Sequence, residues 1–78
     1  MYTLETYADN GTRHVAKGLS KAIAVDLINL AMQSKGEVGF IRLERVDERQ
    51  GVLKCMFYAW NKDAHVYDAR MRVFALWP

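Results

Sequence analysis

One stretch of this chain, "LSKAIAVDLINLAMQSKG" from Leu19 to Gly36, is its one clear amphipathic helix; the other apolar runs alternate mostly like strands. That imbalance limits the fold more than any other feature. One helix shields at most one face of a sheet, so the second face must meet water, curl on itself or meet another molecule. Ser20 is placed as the helix N-cap, where its hydroxyl satisfies a free amide of the first turn. Ile23, Leu27, Leu30 and Ala31 form the stripe expected to meet the sheet, with Val25 and Met32 flanking it. Lys35 complements the negative helix end, and Gly36 suits a left-handed position beyond the last turn.

Ahead of the helix, "MYTLETYADNGTRHVAKG" contains two strand-like runs around Asp9-Asn10-Gly11, a strong hairpin signal because Asn and Gly tolerate positive φ. The loop is either two residues or longer with a bulge, and a one-residue slip would exchange the two faces. Tyr2, Leu4 and Thr6 are taken as the core side. After the helix come "EVGFIRLERV", "VLKCMFYAW" and "HVYDARMRVFALW", separated by the short polar segments "DERQG" and "NKDA". Such spacing predicts an antiparallel meander. Residues 65–77 also contain a helical stripe, Tyr67, Met71 and Phe74, so helix and strand both remain open there; the alternation from Arg70 to Val73 favours strand. The expected fold is therefore α+β, in the order β-β-α-β-β-β. An antiparallel sheet of four to five strands carries one helix on one face, as a single small domain over residues 1–78.

Composition narrows the function. A net charge of +2 is too small for a general polyanion binder and has the wrong sign for a mimic of nucleic acid. The lone Cys55 cannot form an internal disulfide, which fits a reducing cytoplasm. The opening "MYTLETY" lacks the basic and apolar regions of a signal peptide, and no apolar run approaches the roughly 20 residues that span a bilayer. Catalysis has little to draw on. Cys55 is expected in the core between Leu53 and Phe57, where a thiol behaves as a small hydrophobe. His14 and His65 stand apart, and Asp47, Glu48, Asp63 and Asp68 read mostly as turn residues. One cysteine and two scattered histidines do not make a zinc site, and isolated glycines do not cradle a phosphate. The expectation is a protein that is no enzyme and uses no cofactor or metal.

The unshielded face is the remaining place for a function. If Ile41 and Leu43 point to the helix, Phe40, Arg42 and Glu44 point away. On the next strand, Leu53, Cys55, Phe57 and Ala59 are taken as inward, leaving Lys54, Met56, Tyr58 and Trp60 outward. With Met71, Val73 and Ala75 inward, the last strand adds Arg70, Arg72 and Phe74. The expected partner-binding residues are Phe40, Arg42, Lys54, Tyr58, Trp60, Arg70 and Arg72, since aromatic, Met and Arg side chains concentrate where proteins touch. Two accounts stay open. Cross-strand aromatic and aromatic–cation pairs stabilise a sheet by themselves, at roughly 0.2–1 kcal/mol each; or the face is a contact surface, including one between two copies.

The element order, the helix opening "LSKA" (Leu19 to Ala22), the strand "GEVGFIRLERV" (Gly36 to Val46) and the following "VLKCMFYAW" together resemble the small anti-CRISPR proteins of phages and mobile elements that disable type I CRISPR–Cas surveillance complexes. The resemblance covers about half of the chain. It implies a binding inhibitor in the bacterial host cytoplasm that docks on a Cas subunit of a type I effector complex and blocks target DNA. The mild basicity sets the chain apart from the acidic DNA mimics among them. A nucleic-acid-binding module using the same aromatic and basic face is the alternative. A homodimeric phage accessory protein is another, and monomer and homodimer both remain open.

Overall fold

The observed order of elements is the expected one. The computed structural model describes residues 1–77: β1 (Tyr2–Ala8), β2 (Arg13–Leu19), α1 (Lys21–Met32), β3 (Val38–Asp47), β4 (Val52–Asn61) and β5 (Val66–Ala75). The strands form one antiparallel sheet in the order β2-β1-β3-β4-β5, and residues 66–75 are strand, not helix. β1 therefore lies between its hairpin partner and β3, and both β2 and β5 are edges.

The first turn is longer than the two-residue form. Asp9 to Thr12 link the strands, with Gly11 at φ 87 donating its amide to Ala8 and Asn10 Oδ1 accepting from the Thr12 amide. Leu4 is buried and pairs with Leu43, while Thr6 pairs with Ile41, so Tyr2, Leu4 and Thr6 do face the helix.

Ser20 caps α1 by accepting from the Ile23 amide at 3.3 Å. The buried stripe, however, is displaced from the expected one. Ala24 and Ile28 are buried, with Leu27, Ala31 and Met32 packed around them, whereas Ile23 and Leu30 are 52% and 64% exposed. The helix touches β1 and β3, and the small Ala24 is the residue set deepest; Leu30 instead lines a groove toward β2. Lys35 does not lie in the last turn. It stands beyond Met32 at φ 50, followed by Gly36 at φ 103, and the pair turns the chain back into β3. Leu4, Ile28 and Ile41 form the centre of the core, and Ile41 is completely buried. Because the helix covers only the middle of the sheet, Met71 and Val73 on its side of β5 stay mostly exposed.

Candidate functional site

Residues directly opposite on paired antiparallel strands share a face, so the register decides which side chains belong together. Ile41 pairs with Tyr58, Leu43 with Met56 and Arg45 with Lys54. Trp60 pairs with Tyr67, and Met56 with Met71. Lys54, Tyr58 and Trp60 thus lie on the helix side, contrary to the expectation from sequence. The cause is the turn. Asp47 is the last strand residue and pairs with Val52, leaving a four-residue connection, Glu48 to Gly51. An even count sends odd-numbered residues of β3 and even-numbered residues of β4 to one side. Asp47 joins the strand while its Oδ1 accepts from the Gln50 amide at 3.1 Å, which fixes the turn. The β4–β5 turn is also four residues, Lys62 to His65, with Asn61 Oδ1 accepting from the Asp63 and Ala64 amides.

Each of the three displaced residues has a structural partner. Tyr58 packs against the core. Lys54 Nζ lies 3.6 Å from Asp47 Oδ2. The Trp60 ring sits 4.9 Å from that of Tyr67, under the segment that leaves the helix, where it abuts Gly36.

Phe40, Arg42, Arg70 and Arg72 do lie together on the helix-free face, and Phe74 is with them. Two rings not assigned to it by sequence complete the surface: Tyr7 from β1 and Phe57 from β4. Tyr7 stands opposite Phe40, with ring centroids 5.8 Å apart, and Phe40 stacks on Phe57, diagonally across the β3–β4 pair, also at 5.8 Å. Three rings on three adjacent strands thus form a continuous ladder. The Arg42 guanidinium lies 6.0 Å from the Phe57 centroid and donates to Glu44 at 2.8 Å. Beside the ladder, Phe40, Phe57, Ala59, Asp68, Arg70 and Arg72 line an open depression of about 600 Å³. Among the described residues Arg70 and Arg72 make no ion pair, and Arg72 rests 5.4 Å from the Phe74 ring centroid.

The other end of the ladder is held by charge. Glu5 accepts from the Tyr7 hydroxyl at 2.8 Å and from Arg13 at 3.0 Å, and Arg13 Nε donates to the Tyr7 oxygen at 3.2 Å. The Tyr7 hydrogen bond, opposed by burial and aided by Arg13, holds the Glu5 carboxyl below its usual range. Cys55 is buried as expected, but on this helix-free side, in register with Glu44 and Arg72 and with Arg42 Nη2 4.0 Å from its sulfur.

On this surface the acidic and basic side chains form the ion pairs Glu5–Arg13 and Arg42–Glu44. His14 lies on β2 and His65 in the β4–β5 turn, edge-on to Trp60. Among the described residues no three His, Cys, Asp or Glu side chains gather, and no helix is long and apolar enough to cross a membrane. Flat aromatic area next to unpaired guanidinium groups is suited to binding planar groups, carboxylates or phosphates. Comparisons with protein-family models, curated proteins and solved structures give no match.

Proposed function

We propose that this protein acts by docking, through the helix-free face, on a Cas subunit of a type I CRISPR effector complex, and that it blocks target DNA there. The observation that carries the docking reading is the Tyr7–Phe40–Phe57 ladder bordered by Arg42, Arg70 and Arg72 on one uncovered sheet face. The resemblance in element order and in the segments 19–22, 36–46 and 52–60 supplies the class of partner. In this reading the rings supply buried area, and Arg70 and Arg72 orient the encounter toward carboxylates of the partner.

The test is target-DNA binding by reconstituted type I complexes with and without the protein. Loss of DNA binding with the wild type, and its recovery with Arg72→Glu or Phe40→Ala, is the expected result. Unhindered DNA binding by every complex tried removes the reading. The spacing of the three rings also favours a second reading, a stacking platform for single-stranded nucleic acid. It requires affinity for single strands at low salt that falls steeply as salt is raised.

A further inference from the structure

The two edges of the sheet differ. β2 has seven residues, its register against β1 shifts between Tyr2 and Leu4, Gly18 takes φ 68, and Lys17 lies next to it. Irregularity, short length and lysine are the features that keep an edge from recruiting another strand. β5 has none of them. Its ten residues pair one for one with β4 without a shift, it contains no Gly, Pro or Lys, and Val66, Met71, Val73 and Phe74 are each more than 40% exposed.

We propose that β5 pairs antiparallel with β5 of a second copy about a two-fold axis through Ala69, joining two five-stranded sheets into one. Such an axis stands perpendicular to the sheet and keeps both helices on the same side, so even residues oppose even and odd oppose odd. Among the registers centred from Asp68 to Arg72, charge favours one. Centring on Asp68 sets two carboxylates face to face; centring on Arg70 or Arg72 sets two guanidinium groups face to face; centring on Met71 opposes Arg70 to Arg72 twice. Centring on Ala69 opposes Asp68 of each copy to Arg70 of the other, with no like pair.

The same register suits both faces. On the helix side the exposed Met71 of one copy meets Tyr67 of the other, on either side of two small alanines at the axis. On the helix-free side Val66 lies against the stem of Arg72. Pairing from Val66 to Arg72 adds about six to eight backbone hydrogen bonds. Asp68 Oδ2 accepts from Asn61 at 3.2 Å, which directs the carboxylate without using its second oxygen. The two arginine-lined depressions become neighbours across the axis.

Sedimentation of the full chain from low micromolar to near-millimolar concentration tests this. The expected result is a shift from the 9.0 kDa chain to twice that mass. Asp68→Arg is expected to weaken association at least tenfold, and Asp68→Arg combined with Arg70→Asp to restore it, with unchanged circular dichroism. Ala69→Glu, which sets two carboxylates on the axis, is the independent probe should the first variant fold poorly. A wild type that stays at the mass of one chain throughout overturns the proposal and leaves the edge to a strand of a different protein. A dimer that withstands both Asp68→Arg and Ala69→Glu also overturns it.

Discussion

The Tyr67 hydroxyl ties the last strand to the connection between helix and sheet. It accepts from the Gly36 amide at 3.0 Å and lies 2.7 Å from the Val38 carbonyl, to which it donates. Ser34 lies 3.2 Å away, but its own hydrogen is directed at the Ala31 carbonyl at 2.6 Å while its oxygen accepts from the Val38 amide. The last strand is thereby tied to the segment between α1 and β3, above the Trp60 ring. Tyr67→Phe keeps the ring packed on Trp60 and removes only the oxygen. Two part-buried groups, the Gly36 N–H and the Val38 C=O, lose their partner. At about 0.5–1.5 kcal/mol net for each hydrogen bond, the expected loss is roughly 1–3 kcal/mol. For a chain of this length that lowers Tm by about 4–8 °C per kcal/mol. Urea unfolding followed by tryptophan fluorescence measures the loss, with an unchanged slope showing that the unfolded reference has not moved. Hydrogen exchange at the Gly36 amide should accelerate with it. A loss below about 0.5 kcal/mol, with exchange at Gly36 unaltered, would show that water replaces the hydroxyl and that the tie is made by the rings alone.

Two further expectations concern the same junction and the far end of the aromatic ladder. Gly36→Ala places a methyl group 2.5 Å from Trp60 Nε1 at φ 103, so it should cost about 2 kcal/mol or more, read from the same urea transition, and shift the Trp60 emission. The Glu5 carboxyl lies below its ordinary value of 4.5 in the folded chain, so its contribution to stability is present above that pH and is lost as pH falls through the lowered value. The stability difference between wild type and Glu5→Gln should therefore shrink on acidification below 4.5; a difference constant with pH would refute the assignment.

Local signals in the sequence mostly reported local structure faithfully, Lys35 beyond the helix end being the exception. Ser20 ahead of an apolar period, Asn10-Gly11 between alternating runs and two polar breaks after residue 46 are each decided by a few neighbouring residues. The helical stripe was displaced by about one position because its apolar residues cover a broad arc of α1, about 160° at 3.6 residues per turn: Ile23, Ala24, Leu27, Ile28, Leu30 and Ala31 offer two overlapping faces. Close approach of the helix to β1 and β3 chose the one with the small Ala24 at its centre. Nothing within the helix alone makes that choice.

Register was the harder matter, and it decides the candidate site. If Asp47 belongs to the turn, the β3–β4 connection is odd and Tyr58 and Trp60 face away from the helix. If Asp47 is the last strand residue, the connection is even and Phe57 takes their place. β4 arbitrates poorly by hydrophobicity, because both of its alternating sets, Leu53-Cys55-Phe57-Ala59 and Val52-Lys54-Met56-Tyr58-Trp60, are apolar but for Lys54. A strand of that kind is half-covered on both sides, by the core on one and by the Arg42 and Phe40 side chains on the other. The helix-free face is consequently aromatic under either register, since β3 brings Phe40 and Arg42 to it regardless, and β4 contributes a ring whichever way it turns. The chemical character of the surface thus follows from the sequence, while the identity of the ring that β4 adds to it, Phe57 in place of Tyr58 and Trp60, follows from the turn in which the Asp47 carboxylate accepts from the Gln50 amide.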